Sequence, residues 1–194
     1  SQKYIGQYFN STEGRKLLIR ATFQQAKEDG VTVLEIGEDV WGLKEFFHND
    51  IDELVESFTS AQREIAPEIE LRLQIGLSRH CPISYLEDCL SYFWGNKNFY
   101  SIDLYGDEFA QPIENFKGIY RRAKKEGLRL KAHVGEWGTA KDIRTAVEEL
   151  ELDEVQHGIA AAGDESVIRF LAENKIRLNI TPTSNVLLGR VADM

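Results

Sequence analysis

The sequence has few of the residues that mark disulfide-rich or membrane proteins. It contains two cysteines and four prolines among 194 residues, and Cys81 and Cys89 stand outside any C-x-x-C pair. Such cysteine usage is typical of a reduced compartment. No apolar run approaches the ~18 residues of a membrane span, and no signal-peptide pattern opens the chain. These absences predict a cytoplasmic protein that does not enter a membrane.

Basic charge is also scarce, because the net charge is −9. Nucleic-acid-binding proteins carry a basic stripe. The basic run of Arg121, Arg122, Lys124 and Lys125 lies between apolar positions of a predicted helix, which is typical of a solvated helix face. We therefore expect no nucleic-acid partner. Since 42% of the residues are hydrophobic and 28% charged, the chain is predicted to be globular, with one domain over residues 1–194.

Short apolar segments alternate with helical patterns along the chain. Such segments are typical of parallel strands buried on both faces. The predicted strands are Val31–Ile36, Leu71–Ile75, Phe99–Leu104, Leu128–His133, Glu154–His157 and Ile176–Ile180. The predicted helices include an opening one that ends at Gly30, one that starts at Asp52, one from Ile113 to a stop at Gly127, one capped by Thr139, and one from Asp164 to Asn174. Strand–helix alternation predicts a parallel sheet with right-handed crossovers, either doubly wound or closed into a barrel.

The ends of the strands favour the barrel. A doubly wound sheet collects its ligands at one switch point, whereas a barrel collects one contribution from each strand at its carboxyl face. Here every predicted strand finishes in a polar cluster, and no glycine fingerprint for a dinucleotide or a P-loop follows the early strands. The clusters are Glu35–Gly37, Gly76–His80, Asp103–Glu108, His133–Glu136, His157–Gly158 and Thr181–Asn185.

Two of these clusters carry the residues best suited to chemistry. Imidazole is a common metal ligand and a nearby carboxylate can act as acid or base, so His133 and Glu136 are candidates for a metal and proton-transfer site. A histidine at the position of His157 could polarise or deprotonate water. The structural alternatives are a buried His133 satisfied by a carbonyl, a Glu136 in solvent and a His157 that caps or fills the core.

Three further positions are less specific. Asp103 and Gly106 bracket a turn, where the Gly106 N–H could donate to a ring nitrogen of a ligand, although an ordinary glycine turn fits equally. For Arg79-His80 a structural ion pair with a strand-end carboxylate is favoured over catalysis. His48 is predicted to be exposed.

Four segments of the chain, in order, resemble motifs of the adenosine deaminase family of metal-dependent amidohydrolase-type barrels, in its central portion. Lys131–Glu136 is similar to the family's His-Ala-Gly-Glu strand end, and Val155–Gly158 to its Gly-His-Gly. Ser101–Glu108 is similar to its Asp-Leu-x-Gly-x-Glu segment. Asn179–Asn185 matches its Cys-Pro-x-Ser-Asn segment, with Thr181 where cysteine is usual.

The resemblance implies hydrolytic deamination of a 6-aminopurine, adenosine or a related base or nucleoside, by a zinc-activated water. It implies that His133 is a zinc ligand and that Glu136 passes a proton to the purine ring. It further implies that His157 orients or deprotonates the water and that the Gly106 amide contacts the purine. Together with Gly106, Asp103 is predicted to bind the substrate.

The chain departs from the family at the other zinc ligands. Its four histidines, His48, His80, His133 and His157, include no His-x-His pair, and the family's adjacent Asp-Asp pair would follow residue 194. Catalytic zinc has about three protein ligands. We therefore expect zinc to bind weakly or not at all to this chain alone, and this chain alone to be inactive.

A complete barrel has about 250 residues, so the six predicted strands indicate an incomplete TIM-like (β/α) barrel that lacks the first and last strands. Its open edges, Val31–Ile36 and Ile176–Ile180, predict self-association or a partner chain that supplies strands. A second hypothesis is a truncated remnant that binds a purine or a partner chain without turnover. A third is a barrel enzyme acting on sugar phosphates, although Thr181–Asn185 offers hydroxyls without a glycine-rich nest.

Overall fold

The computed structural model describes residues 10–192, in which strands and helices alternate. The strands are β1 (Val33–Asp39), β2 (Glu70–Ser78), β3 (Phe99–Tyr105), β4 (Arg129–Val134), β5 (Glu154–His157) and β6 (Arg177–Asn179). The helices are α1 (Thr12–Glu28), α2 (Val40–Phe47), α3 (Ile51–Ile65), α4 (Ile83–Leu90), α5 (Lys117–Glu126), α6 (Ala140–Leu150), α7 (Glu165–Glu173) and α8 (Pro182–Leu187). Two short 3₁₀ turns lie at Ile113–Phe116 and Ile159–Gly163.

The strands form one sheet in the order β1-β2-β3-β4-β5-β6. The pairs β3–β4, β4–β5 and β5–β6 are parallel, and every strand is followed by at least one helix. Sequential parallel strands with intervening helices are the arrangement of a (β/α) barrel. The predicted fold class, an incomplete TIM-like barrel of about six parallel strands with outer helices, is therefore confirmed. No helix within residues 10–192 has the length and apolar character needed to cross a membrane.

The described residues divide into two compact units. The first contains residues 10–75 and 86–100, and the second contains residues 76–85 and 101–192. All five predicted site residues lie in the second unit: Asp103, Gly106, His133, Glu136 and His157. The prediction of a single domain over residues 1–194 stays a prediction.

In the first unit, α1 begins at a capped end and buries one face. The Ser11 hydroxyl accepts from the backbone N–H of Gly14, which satisfies one of the free amide groups of the first turn. Its buried residues are Ile19, Phe23 and Ala26. Leu17 and Leu18, on the same helix, are exposed. Asp50 caps α3 through the amides of Asp52 and Glu53, so this helix begins within one residue of its predicted start.

In the second unit, the predicted helix ends are present. Gly127 closes α5 in the left-handed conformation, at φ 83°, which glycine adopts without steric cost. Thr139 and Asp142 form a reciprocal capping box at the start of α6. Asp164 accepts from the Ser166 and Val167 amides at the start of α7. The caps at Thr139 and Asp164 fix where α6 and α7 begin after β4 and β5, and Gly127 fixes where α5 ends before β4.

A charged cluster lies on one face of β4, β5 and β6. The register pairs Lys131 with Glu154 and Glu154 with Arg177, so these side chains share a face. Glu154 is buried and lies 3.3 Å from Lys131 Nζ and 3.1 Å from the Arg129 guanidinium, and it accepts from Asn179 Nδ2. Burial by itself would raise the pKa of Glu154, but Asn179, Lys131 and Arg129 outweigh it and lower the pKa.

Candidate active site

His133 lies at the end of β4, two positions after Lys131, with its Nδ1 held between two acceptors. Nδ1 is 3.4 Å from the Asp103 Oδ1 and 3.3 Å from the Leu104 carbonyl oxygen. A carbonyl oxygen can only accept, so this geometry places the imidazole proton on Nδ1 and leaves the lone pair on Nε2. That is the tautomer of a metal-binding histidine whose other nitrogen is oriented by a carboxylate.

The surroundings of His133 raise the pKa of its imidazole. Burial, the largest single influence, would lower this pKa. The hydrogen bond and negative charge of Asp103, the Leu104 carbonyl and the Glu136 carboxylate act in the opposite direction and together prevail. The site therefore favours positive charge at His133, whether a proton or a cation carries it.

Glu136 and His157 lie next to one another. Glu136 Oε1 is 3.6 Å from His157 Nδ1, and both side chains are largely shielded from solvent. Thr181 Oγ1 at 3.0 Å and Asn185 Nδ2 at 3.2 Å contact the same nitrogen. The His133 and His157 ring centroids are 5.4 Å apart. The structure thus brings together the three residues that the strand ends suggested, and Thr181 and Asn185 from the fourth motif orient one of them.

Backbone conformation at these strand ends is specialised. His157 has φ +66°, an unusual conformation for a residue with a side chain. Gly135 has φ +73°, and a Cβ there would lie 2.4 Å from Ile143 Cδ1. Glycine adopts this φ without steric cost, so it suits position 135, where the chain turns from β4 toward Glu136.

A cavity of about 500 Å³ opens beside these side chains. Gly106, in a left-handed turn at φ +104°, contributes backbone to its wall, and the aromatic rings of Phe109 and Trp137 are partly exposed at it. The lining residues are Tyr105, Gly106, Asp107, Phe109, His133, Glu136 and Trp137. Such a cavity has the size and the mixed polar and aromatic walls of a small-molecule site.

Asp103, predicted to bind substrate, is placed differently from Gly106. It is buried on β3, beside His133 Nδ1 and 3.4 Å from Gln156 Nε2, and it is not among the residues that line the cavity. The structure therefore places Asp103 where it supports His133. Its contact with a substrate stays a prediction.

Arg79 and His80 lie close to the site but do not line this cavity. Arg79 is buried, and its Nε donates to the Gln111 carbonyl oxygen at 3.0 Å. Burial lowers the pKa of the Arg79 guanidinium, although nearby carboxylates, first that of Glu108, oppose this. His80 is exposed, and its Nε2 accepts from the Asp107 amide at 3.4 Å. His48 is exposed at the end of α2, as predicted.

Two residues that sequence reasoning gave no role hold the Gly135–Trp137 loop. The Glu108 carboxylate accepts from the amides of Gly135, Glu136 and Trp137, each at 2.8 Å. Arg190 Nε donates to the Glu136 carbonyl oxygen at 2.6 Å, and its guanidinium lies 4.5 Å from the Trp137 ring centroid. Glu108 stood within a recognised motif, so its position was a usable signal. No pattern in the sequence marked Arg190.

The donor set that the described residues provide is incomplete for zinc. Across residues 10–192, no three or more His, Cys, Asp or Glu side chains are grouped so that they could hold a metal ion. His133 Nε2 is suitable as a single ligand, but catalytic zinc has about three protein ligands. The described part of the chain therefore does not form a complete zinc site by itself.

Comparison with known proteins assigns the family. The family model described as adenosine deaminase matches residues 3–194. The chain belongs to the adenosine deaminase family. The resemblance read from the four motifs is confirmed.

Individual relatives agree with this family. A protein of Treponema pallidum (strain Nichols), whose name proposes an adenosine/adenine deaminase, is 38% identical over 174 residues, 90% of this chain and 58% of that relative. The chain thus spans somewhat more than half of the length of this curated relative.

Solved structures show the same fold. The crystal structure of adenine deaminase from Arthrobacter aurescens superposes with a TM-score of 0.79 at 24% identity, over 94% of this chain and 56% of that one. An amidohydrolase from Burkholderia ambifaria, solved with bound Zn, superposes with a TM-score of 0.78 at 21% identity, over 91% of this chain and 50% of that one.

Proposed function

We propose that the protein hydrolyses a 6-aminopurine, adenine or adenosine, to the 6-oxopurine and ammonia. The observation that carries this proposal is that His133 and Glu136 line one cavity of about 500 Å³ and that His157 lies beside both of them. Membership of the adenosine deaminase family supports it. Adenine and adenosine both remain candidate substrates, because the T. pallidum relative is named for both.

Each residue has a role that its surroundings support. The Gly106 backbone N–H, at the cavity wall, donates to a ring nitrogen of the purine. Glu136 holds a proton and passes it to the ring nitrogen next to the carbon that bears the amine, which makes that carbon more electrophilic. His157, oriented by Thr181 and Asn185, positions the attacking water. The partly exposed ring of Phe109 offers an apolar face to the planar purine.

Zinc is the cofactor that we propose for the complete site, where it would lower the pKa of a bound water. His133 would be one ligand through Nε2, and the other ligands would come from outside residues 10–192. The bound Zn of the B. ambifaria amidohydrolase supports metal use on this fold. The roles proposed above for Gly106, Glu136 and His157 follow from the positions of these residues and do not depend on which residues complete the zinc site.

The second candidate function is binding of a purine, or of a partner chain, without turnover. The observation that favours it is that, among residues 10–192, no group of three or more side chains that could hold a metal ion forms around His133. Both candidates take a purine base or nucleoside as the ligand, with no nucleic acid and no membrane, and a cytoplasmic location is proposed for both.

Ammonia release from adenine and from adenosine, in the presence of zinc, tests the proposal. Where the remaining zinc ligands are supplied, we expect turnover, and a loss of kcat of at least about 100-fold in Glu136→Gln, since that variant cannot donate a carboxylic proton. Glu148→Gln is the matched control, because Glu148 forms an exposed pair with Arg144 on α6. Purine binding without ammonia release would support the second candidate, and an active Glu136→Gln variant would contradict the role of Glu136.

A further inference from the structure

Glu108 is a buried carboxylate with three backbone donors and no place in the chemistry described above. Its Oε2 accepts from the Gly135 amide, and its Oε1 accepts from the Glu136 and Trp137 amides, all at 2.8 Å. The side chain is 6% exposed, so these three amides take the place of water as hydrogen-bond donors to the carboxylate. Three charge-assisted hydrogen bonds to one buried anion are stronger than ordinary neutral ones.

The three donors are successive residues that form a backbone nest. Successive amides that point into one concavity are a recognised binding site for an anion. The nest depends on Gly135, whose φ of +73° turns the chain. Gly138 also contributes, since a Cβ there would lie 2.8 Å from Glu108 Oε2. The two glycines therefore shape the nest and leave the space that Glu108 needs to reach it.

The charge around Glu108 suits a carboxylate rather than a neutral group. Arg79 is buried nearby and interacts electrostatically with Glu108 more than with any other carboxylate. An ionised carboxylate offers acceptors only, whereas a glutamine amide would turn an NH₂ group toward at least one N–H donor. Replacement of Glu108 by an isosteric amide therefore breaks the arrangement without changing its volume.

The loop that Glu108 holds carries Glu136. The Glu136 amide is the middle donor of the three, and its carboxylate lies 3.6 Å from His157 Nδ1. A displacement of about 1 Å in a reacting group can cost 100-fold in rate. We propose that Glu108 is a positioning residue, which fixes Glu136 against His157 by filling the backbone nest of residues 135–137. This inference rests on the proposed function of Glu136.

Amide hydrogen exchange of the full chain, measured by NMR, tests the inference without any need for activity. In Glu108→Gln we expect the amides of Gly135, Glu136 and Trp137 to exchange at least about tenfold faster than in the unmodified protein, since each loses a charge-assisted acceptor. The amides within β4 should keep their rates. Glu114→Gln is the control, because Glu114 is an exposed carboxylate in the neighbouring 3₁₀ turn. Unchanged exchange at all three amides in Glu108→Gln, or equal acceleration in Glu114→Gln, would overturn the inference.

If Glu108→Gln does not fold, the hydrogen bonds to Glu108 can be measured in the unmodified protein instead. Scalar couplings through the hydrogen bonds, from the three amide nitrogens to Glu108 Cδ, are expected, and couplings to other acceptors in their place would overturn the inference.

Steady-state kinetics adds a second, separate readout. Glu108→Gln should lower kcat by about 100-fold while KM stays within about threefold, as expected when a transition-state interaction is lost. Glu108→Asp, which keeps the charge, should recover part of kcat. A folded Glu108→Gln with unchanged kcat would overturn the inference. Absence of turnover in a protein that is supplied with all of its zinc ligands would instead refute the proposed function, and the exchange rates would still decide the role of Glu108.

Discussion

At the scale of single residues, Asp103 helps to raise the pKa of His133. Asp103→Asn removes the negative charge 3.4 Å from His133 Nδ1, whereas the burial that opposes protonation remains. We therefore expect the pKa of His133, raised above its ordinary value of 6.5 in the unmodified protein, to fall in the variant. NMR titration of the His133 ring in the presence of a chelator measures it. Glu114→Gln should leave the titration unchanged, and a higher pKa in Asp103→Asn would refute the account.

The same contact makes stability depend on pH. Folding raises the pKa of His133. The contribution of the His133–Asp103 pair to the free energy of unfolding is therefore complete at pH values below the pKa of the unfolded state, and it is lost as the pH rises through the pKa of the folded state. Unfolding of the metal-free protein followed above and below pH 6.5 should show this loss for the unmodified chain and a smaller one for Asp103→Asn.

The sequence identified some site residues and missed others for a physical reason. His133, Glu136 and His157 could be predicted because they end apolar strands, where parallel sheets place their functional groups. The roles of Glu108 and Arg190 depend on contacts across 27 and 54 positions of chain. Such long-range contacts leave no local periodicity or spacing that a sequence pattern can reveal.

At the scale of elements, the charged cluster on β4, β5 and β6 stabilises the strands that carry the site. Glu154 is buried with Lys131 and is also contacted by Arg129, Arg177 and Asn179. Removal of one partner from a buried ion pair costs about 3–5 kcal/mol. We expect Glu154→Gln to lower the free energy of unfolding by an amount of this order, measured by denaturant unfolding.

Glu148→Gln serves as the control for this change, because an exposed i,i+4 pair contributes only about 0.3–0.5 kcal/mol. Because folding lowers the pKa of Glu154, its contribution to the free energy of unfolding also depends on pH. The contribution is present above the pKa of the unfolded state and is lost as the pH falls through the pKa of the folded state. Equal effects of the two substitutions would show that the buried cluster contributes no more than a surface pair.

Strands and long helices were predictable, and short helices were not. Each of the six predicted strands overlaps an observed one, since a run of apolar residues is a local signal. The helices α2, α4 and α8, of 8, 8 and 6 residues, were not predicted. About two turns are too few to display a helical period, and α2 directly continues β1 from the Asp39 cap.

At the scale of the whole molecule, the strand ends were enough to predict the barrel class, because polar clusters followed every strand. The ends of the sheet order, β1 and β6, leave a prediction about association. Val33 is exposed on β1, and Ile180 and Leu187 are exposed after β6. Apolar strand edges favour pairing with another chain. We expect sedimentation velocity to show self-association, or a complex when a partner chain is present, and a stable monomer under all conditions would contradict this.

The central claim is that water replaces the amine of a purine at the cavity beside His133, Glu136 and His157. The most direct measurement is the mass of the purine recovered after adenine or adenosine and zinc are incubated, in oxygen-18-labelled water, with the protein and the source of its remaining zinc ligands. The account predicts a 6-oxopurine that carries one heavy oxygen, one ammonia for each purine converted, and neither product from Glu136→Gln. Recovery of the purine unchanged, with its amine in place, would contradict the account.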